Sequence, residues 1–167
     1  MSDYVYPCPC GWFLDTQNAC TCAPAVVTKY QKRISGPLLD RIDIHIEVPR
    51  VDYEKLSSDR MGETSELIRK RVQAARNIQQ QRFANSQSDI ICNADMRVGE
   101  IRQFCKLQDE GQSLMLAAMS QLNLSARAYH RILKLARTIA DLAGSEEIQS
   151  AHLAEALQYR PKLMMGK

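Results

Sequence analysis

The clearest periodicity in the chain lies between Ser125 and Gly144. Ala128, Ile132, Leu135, Ala136, Ile139 and Leu142 recur at helical spacing, and Arg127, His130, Arg131, Lys134 and Arg137 gather on the opposite side. Ser125 suits an N-cap, and Gly144 suits a left-handed terminal turn. A second helical run starts at Thr64 or Ser65 and extends to about Phe83, with Leu67, Ile68, Val72, Ala75 and Ile78 predicted inward. Glu63 and Glu66 sit near its positive end and Arg82 near its negative end, as the helix dipole favours. Three shorter helices are predicted: one capped by Asn93 or Asp95 and running through Cys105, one from Asp109 through Leu122, and one from Ser150 to Tyr159. The last places Leu153, Ala156 and Leu157 inward and stops before Pro161.

The pattern changes upstream. Ile42, Ile44, Ile46 and Val48 alternate with polar residues, which reads as a half-buried strand ended by Pro49. A single strand leaves backbone groups unsatisfied, and no second strand is evident, so its sheet partners are expected elsewhere. Residues 1–37 are rich in Cys, Pro and turn formers and show little period. The expected fold is mainly α: a bundle of four or five helices over about 63–160, preceded by a partly disordered segment with one strand. The corresponding divisions are 1–50, a linker at 51–62, and 63–167.

Composition adds limits. With 167 residues, 45% hydrophobic and only 6% aromatic, the core must rest on aliphatic side chains, as in helix-rich domains. The formal charge is +3, and the stretch from Glu63 to Phe83, with two acids against Arg69, Lys70, Arg71, Arg76 and Arg82, accounts for all of it. Such a basic helix can touch phosphate, although it is more often a solvated face. No run approaches the roughly 18 apolar residues of a membrane span, and no secretory leader opens the chain. The expected setting is therefore cytoplasmic, without a membrane partner, and the six cysteines are read as reduced.

Four of those cysteines form two C-x-C pairs, Cys8-Pro9-Cys10 and Cys20-Thr21-Cys22, joined by a loop from Gly11 to Ala19 long enough to bring the pairs together. Four soft thiolates can close a tetrahedral shell around a structural Zn²⁺. The spacing is tighter than the usual zinc knuckle, so four reduced thiols in a turn-rich segment, or disulfides formed in air, stay open as alternatives. Cys92 and Cys105 stand alone and are expected in the core.

The most specific string is Arg33-Ile34-Ser35-Gly36-Pro37-Leu38-Leu39-Asp40-Arg41-Ile42-Asp43. With Pro7-Cys8-Pro9-Cys10-Gly11 before it, and Leu124-Ser125-Ala126-Arg127 through Ala140-Asp141-Leu142 after it, the chain resembles the magnesium-chelatase-like AAA+ ATPases that include ComM and YifB. The resemblance runs from about Pro7 to Met165. It implies the C-terminal edge of an AAA+ α/β core over 1–50, followed by a helical lid domain. It implies that Arg41 is an arginine finger reaching a neighbouring subunit's ATP, and that Arg127 is the second sensor arginine, meeting its own subunit's nucleotide. An always-charged planar fork suits a γ-phosphate. Without the resemblance, Arg41 reads as a surface arginine beside a strand, and Arg127, Arg131, Lys134 and Arg137 read as a solvated face.

Two features depart from the family pattern. The family usually carries Asn before the Pro-Cys-Pro-Cys run, where Tyr6 stands here. These residues also hold no G-x-x-x-x-G-K-[ST] loop and no following hydrophobic run ending in Asp-Glu, so the chain alone is expected neither to bind ATP tightly nor to hydrolyse it. It reads as a fragment of a longer protein. The resemblance then implies ATP and Mg²⁺ as cofactors of the full-length protein, with the remaining core and neighbouring subunits of a homo-hexamer as partners. It also implies a role in DNA processing, by helicase or branch-migration activity linked to natural transformation. The alternative is a stand-alone helical module, zinc-stabilised or not, that binds nucleic acid or protein.

Overall fold

The structure is a computed structural model that describes residues 6–13, 15, 17–33, 41–46, 48, 51, 62–84 and 89–160. The chain divides into two compact units, Met1–Ile42 and Asp43–Lys167. The described part of the first contains one helix, α1 (Pro24–Gln31), in which Pro24 occupies the first turn, where its missing N–H costs no hydrogen bond.

The regular structure described in the second unit is helical. Its helices are α2 (Ser65–Phe83), α3 (Val98–Phe104), α4 (Asp109–Gln121), α5 (Ala126–Leu142) and α6 (Ser150–Gln158), with a single 3-10 turn at Asn93–Asp95. Helix α5 is the centre of the bundle, packing against α2, α3, α6 and the 3-10 turn. Its start is fixed by Ser125, whose hydroxyl accepts the Ala128 amide at 3.1 Å. Its end is fixed by Gly144 at φ +68°, a conformation that costs glycine little. Thr64 caps α2 in the same way, accepting the Leu67 amide.

The core joins Phe83, Ile90, Met96, Ile101, Cys105, Met115, Ile132, Leu133, Ile148 and Leu153 around the alanines of α5 and α6. Phe83 and Phe104 meet edge to face, with ring centroids 5.7 Å apart. Small residues at Ala128, Ala136, Ala140 and Ala156, all nearly inaccessible, let the helices approach closely.

The predicted mainly α bundle is what the structure shows, and three details differ from expectation. Residues 41–46 and 48 form no strand, and Ile42, Ile44, Ile46 and Val48 are exposed. Among the described residues the β pairing is limited to an isolated parallel bridge between Leu107 and Ile148, so the alternating segment has no extended neighbour to satisfy its backbone. One of its amides, that of His45, instead donates to the Tyr159 carbonyl at 2.9 Å. In α2 the apolar positions Leu67, Ile68 and Val72 are exposed, and burial begins only at Ala75, continuing through Gln79 and Phe83. The N-terminal half of α2 runs beyond the core of the unit. The expected partial disorder before the bundle is not seen over residues 6–13, 15 and 17–33, which belong to a compact unit, while residues 34–40 and 52–61 lie outside those described.

The third difference is Arg137. It was expected on a solvated face but is buried. Asp141, one turn further along α5, accepts from Arg137 Nε at 3.0 Å and from Arg82 Nη1 at 2.8 Å, and its side chain is 0% exposed. Asn93 Nδ2 donates to the same carboxylate at 2.7 Å and also to Thr138. The spare donors of Arg137 reach the carbonyls of Ser145 and Glu146. Two guanidiniums and one carboxylate thereby tie α2, the 3-10 turn, α5 and the loop after Gly144 together, with nearly every polar group satisfied. Two other members of the basic stripe are also engaged: Lys134 donates to the Ala94 carbonyl, and Arg131 pairs with Asp43 at 2.8 Å.

Candidate functional site

In the first unit, local turns gather the cysteines. Gly11 adopts φ +83°, and its amide donates to the Cys8 carbonyl at 3.0 Å, closing a tight turn around Pro9 and Cys10. A side chain at Gly11 would be strained in that conformation. The Asp15 carboxylate accepts the amides of Gln17 and Asn18, both at 2.8 Å, which turns the loop back towards Cys20. Cys22 is followed directly by the start of α1. At the other end of that helix, Gln31 Nε2 donates to the Pro7 carbonyl at 3.2 Å, drawing the helix against the first cysteine pair.

The four sulfurs converge. Cys8 Sγ lies 3.3 Å from Cys10 Sγ and 3.7 Å from Cys20 Sγ, and Cys10 Sγ lies 3.6 Å from Cys20 Sγ. All four ligand atoms, including that of Cys22, fall within 4.8 Å of one another. A tetrahedron built on Zn–S bonds of about 2.3 Å has S···S edges of about 3.8 Å. The cluster is close to that size, and its donor set is the soft one zinc prefers, so these residues could hold a metal ion.

The electrostatics favour a cation there. A hydrogen bond from the Trp12 backbone outweighs desolvation and, with help from Cys8, Thr21 and Cys22, holds the Cys10 thiol down at about 6. The Cys22 backbone likewise favours a Cys20 thiolate. Desolvation, the hydrogen bonds with Cys10 and Cys8, and the charge on Cys10 prevail, however, and push Cys20 up to about 12. Cys22 is raised too, despite a backbone hydrogen bond with Cys10. The cluster thus accommodates one thiolate readily and resists a second, a conflict that a divalent cation at its centre would remove.

The two arginines singled out in the sequence lie in different units. Arg41 is exposed in a turn near the end of the first, and residues 34–40 of its string lie outside those described. Arg127 is the second residue of α5 in the second unit, exposed, with no ion pair among the described residues. Its position in the first turn of a capped helix sets it among backbone N–H groups that favour an anion. The structure therefore brings the four cysteines together and records each arginine in its own setting. Sequence reasoning missed α1, although Pro24 after a turn-rich run is a usable start signal. It also missed Asp141 and Asn93 as polar anchors of the bundle.

Comparison with known proteins places the chain. Residues 62–160 match the family model described as magnesium chelatase, subunit ChlI C-terminal, and residues 4–56 match that for magnesium chelatase, subunit ChlI. The chain belongs to the magnesium-chelatase-like family. It is 44% identical over 156 residues to competence protein ComM of Haemophilus influenzae, covering 92% of this chain and 29% of that protein. It is 41% identical over 155 residues to YifB of Escherichia coli, again covering 92% and 29%. The YifB protein of Salmonella typhimurium is 37% identical over 155 residues, with the same coverage. The chain corresponds to the C-terminal part of this ComM and YifB group and spans about 29% of the length of these relatives. No described helix is long and apolar enough to cross a membrane.

Proposed function

We propose that this chain supplies two arginines to ATP hydrolysis by a longer, magnesium-chelatase-like AAA+ protein. The observation that carries the reading is Arg127, an exposed guanidinium in the first turn of a capped helix, where the family resemblance implies a second sensor. There it would meet the γ-phosphate of its own subunit's nucleotide. Arg41, in the Leu-Leu-Asp-Arg string, would reach the nucleotide of a neighbouring subunit in a homo-hexameric ring. ATP and Mg²⁺ are held by the remaining core, and the two side chains of this chain orient the triphosphate and stabilise charge that develops as the phosphoryl group departs.

In this reading residues 1–50 form the edge of the ATPase core, 51–62 a linker and 63–167 the lid. The four cysteines hold a structural Zn²⁺. The work driven by hydrolysis is DNA processing in the cytoplasm, by helicase or branch-migration activity. Support for that substrate comes from the relationship to a protein named for competence.

Arg127→Ala in the full-length protein tests the reading. An arginine that meets a transferring phosphoryl group is worth roughly 10³–10⁵ in kcat. The variant should keep its helical circular dichroism and lose ATPase activity on that scale. Near-normal turnover would remove Arg127 from the site.

A further inference from the structure

The first unit is compact, yet among its described residues only Cys8 and Val27 are buried. Of its described large apolar groups, Tyr6, Trp12 and Val26 are exposed, and Phe13 and Tyr30 are only half-buried. Its one described helix has 8 residues, shorter than the roughly 12–15 at which an isolated helix becomes even marginally stable in water. Domains below about 40 residues usually need disulfides, metals or association to fold, and this unit, Met1–Ile42, sits at that limit. Disulfides are not the device here, since all four thiols are free. What occupies the centre is a shell of four sulfurs, with backbone hydrogen bonds from Trp12 to Cys10 and from Cys22 to Cys20, one in each C-x-C pair.

We infer that a Zn²⁺ ion bound by Cys8, Cys10, Cys20 and Cys22 is the core of this unit, so that residues 6–33 fold only with metal. This rests on the zinc reading above and goes a step beyond it: the ion creates α1 and the turns around it rather than decorating a fold that exists without it. Binding exchanges protons for metal, with four S–H bonds giving four Zn–S bonds and four protons released to solvent, and no oxidant or reductant is involved. The same ion that joins the two cysteine pairs fixes Cys22, and Cys22 is two residues from the first residue of α1. The Gln31 to Pro7 hydrogen bond then closes the other end of the helix onto the first pair. Arg41 belongs to the same compact unit but lies outside residues 6–33.

The test uses the whole 167-residue chain, purified under reducing conditions. Elemental analysis should give one zinc per chain, and Co²⁺ added to stripped protein should give the visible bands of a tetrahedral thiolate site. Trp12, the chain's single tryptophan, sits between the two cysteine pairs, so its emission reports on this unit. Stripping with a strong chelator should shift that emission and speed amide exchange in Pro24–Gln31 by about 100-fold or more, with α5 exchange unchanged and both effects reversed by one equivalent of Zn²⁺. The double variant Cys8→Ser, Cys20→Ser should behave as stripped protein does. If one zinc binds but α1 exchange and Trp12 emission are the same without it, the folding claim is overturned and the zinc site stands. If no metal binds the reduced chain at all, the zinc reading and this inference both fall.

Discussion

The two units of this chain solve the same problem with different means. The second buries Met96, Ile132, Ile148 and Leu153 almost completely, and each large aliphatic side chain removed from water contributes about 1.5–3 kcal/mol. Helix entropy is offset there by area, and a satisfied polar network holds the helices in register. The first unit buries almost no apolar side chain among its described residues and gathers four sulfurs instead. The difference is one of sensitivity. A unit held by area tolerates many small changes, whereas the proposed zinc would make the first unit depend on every one of its four thiolates.

The second unit is most vulnerable at Asp141. Asp141→Ala would leave buried Arg137 and half-buried Arg82 without their shared carboxylate, which costs about 3–5 kcal/mol when one partner of a buried pair is removed. Urea unfolding followed by circular dichroism at a helical wavelength should register a loss of that size. The Co²⁺ spectrum of the cysteine site should be unchanged. A stability within about 1 kcal/mol of the parent chain would mean that the network contributes little beyond its packing.

The next effect concerns pH. Burial of Cys105, partly countered by Arg137 and Arg82, pushes its thiol from 9.0 up to about 11. Because the folded value lies above the unfolded one, the second unit should hold its full stability below about pH 9. It should then lose up to about 2–3 kcal/mol as pH rises from 9 towards 11, as only the unfolded chain releases the proton. Cys105→Ala should flatten this alkaline limb in pH-dependent denaturation curves, and an unaltered limb would assign it to other groups. Smallest is Ser125→Ala, which removes the cap of α5 and should cost about 1 kcal/mol in thermal unfolding. A drop of that size would confirm that α5 depends more on its packing than on its ends.

Much of the second unit was legible in the sequence because its signals are local. Ser125 and Gly144 bracket α5 as their chemistry demands, and Thr64 and Phe83 bound α2. What escaped was whatever depends on partners far along the chain. Arg137 and Asp141 are one turn apart and could have been paired on sight, but Arg82 meets Asp141 across 59 positions. Nothing in the period of α5 announces that its basic stripe is partly interior. The alternating run from Ile42 to Val48 has a strand's pattern without a strand's neighbours, and Leu67, Ile68 and Val72 have a helix's inward spacing on a half-helix with no core beneath it. At the candidate site the cysteine cluster was legible from the two C-x-C pairs, whereas α1, too short to show a period, was not. The roles of Arg41 and Arg127 came from family resemblance, since an exposed arginine carries no mark of the anion it serves.

On the proposed function, the arginines of this chain complete an ATP site whose cradle is built elsewhere, and Arg41 does so across a subunit boundary. Two inactive full-length variants test this together: one carrying Arg41→Ala, the other disabled in its phosphate-binding loop with Arg41 intact. Each alone should be without ATPase activity. Mixed and allowed to exchange subunits, they should regain turnover, because an intact cradle in one subunit would meet an intact finger from its neighbour. Mixtures that exchange subunits yet stay inactive at every ratio would contradict the account.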